Sequence, residues 1–562
     1  MDSQVDNNQQ LTLIKLQQWN DIVEDKEIKG KLQNEILPNY VTKMRWFGGK
    51  GHALKSIQII DYVILPFTDL DSAYHLLLEI SYHDGSPDIY HLPIAYSPID
   101  VSSELQKNYS QSIISLINID NKEGLLYDAL YDRRSQQALA TNLANNCTIK
   151  QKSGELVFTS TPNLKRYVHE QLNSTSKILI TEESNTSIIY DQDFFLKIYR
   201  NVDRSINSDV EINQFLNNET TFRHIPKYVG SIQRQFGKET IVLGMIQEYI
   251  SCISDGWIYI LERLDDFSLN ILSHTDITSI NKELRGSLTN PLDYEEIPED
   301  LKKLFDKTTS KLISLLGHRT GQMHQALSSN NELSSFYPEK YSVDDQHSLF
   351  SSIHSLIETV FQNLKENLQK LPEDVQEEAK EILSMKNELI RILERISSRE
   401  INVTKTRIHG DYHLAQVLFT GDNFLIVDFE GEPAIHFTER RAKHSPLKDV
   451  AGMIHSFHYA AYRSLFLNPQ RKSEDINTLL PFIQLWFHYI SGFFIKSYLD
   501  TTKDAPFIPN NKQDIQILLE TFLLQKAVYE LNYELNYRLD WIIVPLKGIK
   551  SIIEQNRLGQ IC

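Results

Sequence analysis

Arg407-Ile408-His409-Gly410-Asp411-Tyr412-His413-Leu414-Ala415-Gln416-Val417-Leu418, followed by Leu425-Ile426-Val427-Asp428-Phe429-Glu430-Gly431-Glu432-Pro433, reads as two short strands joined by polar loops. Three groups suited to phosphoryl transfer cluster there. Asp411 can accept a hydroxyl proton. Gln416 offers a neutral oxygen to a metal, and Asp428, at the end of an apolar strand, offers a carboxylate to the same metal. In-line phosphoryl transfer needs little covalent help from a protein; it needs positioning and positive charge. A lone His-Gly-Asp is an ordinary turn sequence. Base, amide and strand-borne carboxylate in this order make a catalytic loop the better reading.

The expected metal is Mg²⁺, which prefers oxygen ligands and keeps several waters, so one carboxylate and one amide suffice. Glu430, two residues past Asp428, is either a further ligand or simply the next outward position of an alternating strand. The order base, amide, metal-binding Asp is that of protein-kinase-like catalytic loops.

Composition narrows the class. The chain has 562 residues, 41% of them apolar and 23% charged, as in ordinary soluble globular proteins. The length allows about two to four domains. A net charge of −17 argues against a nucleic-acid surface and against a polybasic membrane anchor. Cys147, Cys252 and Cys562 are far apart with no metal spacing, as expected of isolated reduced thiols. Met1 to Gln10 is polar and acidic, unlike a signal peptide. The apolar window Leu480 to Ile495 carries Gln484 and His488 and is short for a membrane span, so a buried core helix is expected. These features together predict a cytoplasmic protein with no membrane and no nucleic-acid partner.

Working outward, residues 56 to 96 are strand-like. Ser56-Ile57-Gln58-Ile59-Ile60 and Ala73-Tyr74-His75-Leu76-Leu77-Leu78-Glu79-Ile80 partly alternate, and Asp84-Gly85 signals a hairpin before Ile89-Tyr90-His91-Leu92. Ser187 to Tyr190, Asp191-Gln192-Asp193 and Phe194 to Arg200 read as a second hairpin. Past Tyr249 the chain turns helical. Ile353, Leu356, Ile357, Val360, Phe361, Leu364 and Leu368 recur at helical spacing up to a break at Pro372, and Asp514 to Asn536 is a further long helix.

A kinase of this plan needs a strand lysine for the α/β-phosphates and an acidic helix residue to orient it. Lys197 sits inside the apolar strand Phe194 to Tyr199, where a lysine must pair or face a cleft. Glu211 is its candidate partner, although Ser208-Asp209-Val210-Glu211 is also a capping box that would by itself account for the Glu. No Gly-rich loop precedes Lys197. Glu183-Ser184-Asn185-Thr186-Ser187 stands there, either a plain turn or a cover whose small side chains and N–H groups meet phosphates. Gln247-Glu248-Tyr249 follows an apolar strand and is the expected hinge where backbone groups meet adenine.

Several stretches, in order, resemble one family. Arg45-Trp46-Phe47-Gly48-Gly49-Lys50, Ser184-Asn185-Thr186-Ser187, Gln247-Glu248-Tyr249, His409 to Gln416, Asp428 to Pro433 and Ser445-Pro446-Leu447-Lys448-Asp449-Val450-Ala451-Gly452 are similar to bacterial maltokinases, from about Tyr40 to Ile549. Tyr412, Ala415 and an acidic insertion-like stretch near Asp293 to Asp306 depart from the pattern without removing a chemical group. The resemblance implies an α+β, bilobal, aminoglycoside-phosphotransferase-like and eukaryotic-kinase-like fold. It would have an N-terminal cap subdomain at 1–100, a mixed α/β intermediate subdomain (the kinase N-lobe) at 101–250, and a mainly helical C-terminal lobe at 251–562. It implies ATP- and Mg²⁺-dependent phosphorylation of maltose at its anomeric hydroxyl. The maltose 1-phosphate formed would feed α-glucan and glycogen synthesis from trehalose. Association with trehalose synthase would be non-covalent, since this chain has no room for that enzyme. The role of Arg45 to Lys50 does not follow from its chemistry, beyond a Gly-Gly turn packed by Trp46 and Phe47.

Lys526, Tyr529, Glu530 and Tyr533 share one helical face by spacing, offering charged groups beside flat rings. Alone, this is as well read as a solvated edge with an ordinary Lys526–Glu530 pair. The resemblance makes it the acceptor-binding helix. Two rivals stand beside maltose phosphorylation: a kinase for another small acceptor, such as an amino sugar or aminoglycoside, and a nucleotide-binding pseudokinase scaffold. Asp411, Gln416, Asp428 and Lys197 are all present, which disfavours the pseudokinase. A glycoside hydrolase finds no assignable carboxylate pair.

Overall fold

The structure is a computed structural model, and it describes residues 12–67, 71–162, 164–166, 175–179, 184–273, 280 and 282–557. The polar N-terminus to Gln10, Glu183 and Cys562 lie outside the described residues. The chain divides into two compact units, Met1–Glu211 with Pro226–Ile250, and Ile212–Ile225 with Ser251–Cys562.

The first unit holds two sheets. Strands β1 (Leu13–Leu16), β2 (Leu54–Pro66), β3 (Ser72–Tyr82), β4 (Asp88–Pro98), β5 (Ile113–Ile119) and β6 (Lys122–Asp128) run in the order β1-β5-β6-β4-β3-β2. The boundary expected at residue 100 falls inside this sheet, because β6 pairs with β4 across it. Strand β3 alternates only partly because neither face meets solvent. Tyr74, Leu76, Leu78 and Ile80 pack on one side with Ile57 and Ile59, whereas Leu77 packs on the other with Val63 and Leu65. Gly85 makes the β3–β4 turn at φ 98°, a conformation that favours glycine.

Arg45 to Lys50 bears out the packed-turn reading. Trp46 and Phe47 are buried, and a Cβ on Gly49 would lie 2.4 Å from the Tyr82 hydroxyl. The motif needs glycine for space, not for an unusual φ.

The second sheet comprises β7 (Thr148–Gln151), β8 (Gly154–Ser160), β9 (Ser176–Leu179), β10 (Asn185–Tyr190), β11 (Phe194–Tyr199), β13 (Tyr228–Phe236) and β14 (Glu239–Glu248), in the order β7-β8-β13-β14-β11-β10-β9. Between β11 and β13, the short β12 (Asn201–Val202) pairs with β4 of the first sheet. The expected hairpin forms with Tyr190 opposite Phe194, and Asp191 and Gln192 take positive φ at its tip.

The second unit is mainly helical around one large apolar core. The periodic stretch ending before Pro372 is the helix Val343–Asn367, with Ile353, Ile357, Val360, Phe361 and Leu364 buried. Leu447–Phe466, Ser473–Thr502 and Lys512–Tyr537 are further long helices. The apolar window belongs to the 30-residue Ser473–Thr502, longer than the sequence suggested. Its most apolar stretch has mean hydropathy 1.3 and would be long enough to cross a membrane, but 72% of it is buried inside the fold, as a core helix is. The acidic stretch from Asp293 is tied down rather than loose. Lys307 and Lys302 pair with Glu295 and Glu299, and Leu301, Leu304 and Phe305 are buried.

Candidate active site

The loop from Arg407 to Gln416 runs into a small sheet of the second unit. Val417–Phe419 pairs with Phe424–Ile426 on one side and Ser254–Asp255 on the other. The loop before it is held by a residue the sequence reading quoted but gave no role, Asp449. This buried carboxylate, in the first turn of Leu447–Phe466, accepts hydrogen bonds from the backbone N–H groups of His409 (2.8 Å) and Gly410 (3.0 Å). It also meets His324 Nε2 at 3.0 Å. Burial alone would raise the Asp449 pKa, but these partners outweigh it and hold the group below the usual range. Gly410 needs its glycine, at φ 89°. Gly452, one turn after Asp449, lets the helix approach the loop: a Cβ there would lie 2.7 Å from the Tyr412 carbonyl oxygen. His409 Nε2 reaches the Val427 carbonyl at 2.8 Å and so ties the loop to the strand leading into Asp428.

Asp411 therefore sits on a braced turn. Lys526 Nζ is 3.7 Å from its Oδ1 and His413 Nε2 is 3.7 Å from its Oδ2. Partial burial pushes its pKa up, but His413, Lys526 and His409 outweigh burial and hold the carboxyl well below the ordinary Asp value. Asp411 is a charged acceptor throughout the physiological range.

Gln416 and Asp428 come side chain to side chain, with Gln416 Nε2 donating to Asp428 Oδ2 at 3.1 Å. Asp428 takes a left-handed conformation at φ 68°, two residues past its strand. Turning the Gln416 amide presents its oxygen beside the carboxylate, and both donors are of the kind a hard divalent cation takes. Glu430 follows, half-buried.

The expected acceptor helix is Lys512–Tyr537, and its face is divided. Lys526 and Tyr529 line a pocket of about 80 Å³ with Gly410, Asp411, Glu432 and Lys448. Lys526 also pairs with Glu530 at 3.1 Å, so Glu530 joins the pocket through the lysine. Tyr533 stands further along, 38% exposed, packed against Tyr537 and under Arg538. Glu432 was not singled out from sequence. Burial raises its pKa, against Lys526 and Lys448. A larger cavity of about 340 Å³, lined by Arg263, Phe305 and Trp486 among others, contains none of the expected site residues.

On the first unit, Lys197 is buried in β11 opposite Ser187 of β10 and Met245 of β14. Its Nζ pairs with Asp209 at 3.1 Å, and the Tyr199 hydroxyl donates to the same carboxylate oxygen at 3.0 Å. The helix Ser208–Asn218 thus presents an acid to the lysine, Asp209, two residues before the expected Glu211 on the same helix. The capping box is corrected. Asn207 caps this helix, its side-chain oxygen accepting from Val210 N–H at 3.0 Å, so Ser208 is already helical.

Asn185, Thr186 and Ser187 are not a loop. They are buried in β10, because the ladder with β11 runs back to Asn185 opposite Tyr199, and only Ser184 lies before the strand. Thr186 Oγ1 accepts from Arg200 Nε at 2.8 Å. Gln247 and Glu248 end β14, and Tyr249 N–H donates to the Asp193 carbonyl at 2.8 Å.

Fold and site define a class: a kinase-fold protein with an extra N-terminal sheet. A solved glucosamine kinase, in complex with glucosamine, ADP and inorganic phosphate, matches 91% of this chain and 98% of its own at a TM-score of 0.56 and 14% identity. A second crystal form of glucosamine kinase gives 0.57 at 14% identity, over 91% of this chain and 97% of that one. Residues 40–132 match the maltokinase N-terminal cap domain. The likeness to maltokinases read from the sequence is therefore borne out in the cap and in the fold. In sequence, the glucosamine kinase of Streptacidiphilus jiangxiensis is 32% identical over 62 residues, 11% of this chain, and the chain matches only 14% of that relative's length. The family model thus shows a likeness of the cap, and the solved structures a likeness of fold.

Proposed function

We propose that the protein transfers the γ-phosphoryl group of ATP to the anomeric hydroxyl of maltose, giving maltose 1-phosphate. The observation that carries a phosphotransfer reading is the ionised Asp411 on its braced loop, with Gln416 and Asp428 side by side behind it. Asp411 accepts the proton of the attacking hydroxyl and aims it. Gln416 and Asp428, with Glu430 as a further candidate, hold Mg²⁺, which when bound neutralises phosphate charge. Lys197, oriented by an acid of the following helix, holds phosphate oxygens. Of the Ser184 to Ser187 stretch, Ser184 before β10 is left to meet phosphate, and Gln247 to Tyr249 offer backbone groups to adenine. Lys526, Tyr529, Glu530 and Tyr533 receive the sugar. Maltose rests on the cap match at residues 40–132 and on the Lys526 to Tyr533 pattern.

The product would enter α-glucan and glycogen synthesis, with the maltose coming from trehalose. A partnership with trehalose synthase and a cytoplasmic location are part of the same reading. The runner-up acceptor is an amino sugar, favoured by the glucosamine kinase likenesses. A panel of maltose, glucose, glucosamine and an aminoglycoside, with Mg²⁺ and ATP and detection of released ADP, tests it. Maltose should give the highest kcat/KM and a 1-phosphate product. Turnover of glucosamine but not maltose would overturn the acceptor and leave the kinase reading standing.

A further inference from the structure

The pocket beside Asp411 is rich in carboxylates, yet each is already occupied. Asp449 is occupied by His324 and two backbone N–H groups. Glu432 lines the pocket with Lys526 and Lys448. Asp411 and Glu530 flank Lys526, whose Nζ lies 3.7 Å from one and 3.1 Å from the other. The Tyr529 ring, 5.1 Å from the same Nζ, backs the ammonium with a π face. Lys526 and Asp411 are 22% and 19% exposed, so solvent screens this arrangement only in part.

We propose that Lys526 is a specificity-determining residue: an internal ammonium in the carboxylate cluster that reserves the pocket for an uncharged hydroxyl acceptor and rejects an amino sugar. The inference deepens the proposed function and rests on Asp411 being the base of that reaction. An ammonium-bearing ligand is recognised by carboxylate oxygens that lack a cation. Here Lys526 already supplies one, and a second ammonium would meet it at short range, where like charges cost several-fold to many-fold in affinity. A hydroxyl pays no such cost. It accepts from Lys526 Nζ and donates to Asp411. The pocket's volume is about 80 Å³, so the choice between –OH and –NH₃⁺ is made at close quarters.

The experiment compares kcat/KM for glucose, glucosamine and N-acetylglucosamine, with maltose as reference, in the parent, Lys526→Met, Lys526→Arg and Glu432→Gln, with calorimetric binding of glucose and glucosamine alongside. In Lys526→Met the glucosamine-to-glucose ratio should rise at least about tenfold, while Lys526→Arg keeps the parent ratio within about threefold. Glu432→Gln, which removes one carboxylate, should lower the ratio further and serves if Lys526→Met does not fold. The neutral N-acetylglucosamine should not share the gain. An unchanged ratio in Lys526→Met, or an equal gain by N-acetylglucosamine, overturns the proposal while leaving the kinase reading intact. A parent enzyme that neither binds nor phosphorylates any of these sugars overturns both.

Discussion

At the residue scale, the decisive feature is a carboxylate kept ionised by its neighbours. Asp411 is held low by His413, Lys526 and His409 against the opposing effect of burial. Asp411→Asn keeps the shape and removes the proton acceptor. Turnover should fall by at least about 10²- to 10⁴-fold, with nucleotide affinity within a few-fold of the parent. Steady-state kinetics and calorimetry check this, and activity near the parent level would remove Asp411 from the base role. Gln416 and Asp428 are expected to differ in weight. Asp428→Ala should abolish the Mg²⁺ dependence of nucleotide binding, and Gln416→Ala should only weaken it, because a neutral amide is the poorer ligand for a hard cation. Nucleotide titrations with and without Mg²⁺ decide it. Identical metal dependence in Asp428→Ala and the parent would refute the assignment.

At the element scale, close helix packing rests on small residues. Gly317, in the helix Lys307–Leu327, faces the backbone of Ser473–Thr502, and a Cβ there would fall 2.1 Å from the Phe494 carbonyl oxygen. Backbone cannot yield as a flexible side chain can. Gly317→Ala should therefore destabilise the second unit by about 1–3 kcal/mol despite alanine's better helix propensity. Thermal or urea unfolding checks it, and a rise in stability would show that the two helices move apart at little cost. The helix period of Ile353 to Leu364 and the 190–194 hairpin were legible in sequence because apolar spacing and a short polar turn encode local geometry. The strand position of Asn185 to Ser187 was not, since it depends on pairing with β11 rather than on the residues' own turn preference.

At the scale of the whole molecule, buried histidines make the fold acid-sensitive. In the first unit, burial and the Arg200 charge lower the His75 pKa to about 3. In the second, burial lowers His444 and His455 to about 3, with Lys448 and Lys526 respectively the next contributors. Below the ordinary histidine value of about 6.5 the unfolded chain takes up protons that the native one refuses. Stability is thus fully present above about pH 6.5 and declines as the pH falls toward 3, by an amount on the order of several kcal/mol in total. Urea midpoints should hold from pH 7.5 to about 6.5 and fall steadily from there to 4.5, and His75→Gln should flatten the curve. A midpoint constant over that window would mean that these rings protonate within the native fold.

The sequence by itself determined the Lys197 strand, the strand leading to Asp428 and the helical character past Tyr249. In each, the information lies in residue type and short-range spacing. The tertiary structure alone decided that Asp209 meets Lys197, that Asp449 and Gly452 brace the loop, that Glu432 joins the pocket, and that the helix Lys512–Tyr537 turns Lys526 and Tyr529 inward while Tyr533 stands exposed. The reason is physical. Period and turn chemistry act over a few residues, whereas an ion pair or a close backbone approach is chosen by whichever distant group the packed fold brings within a few ångströms.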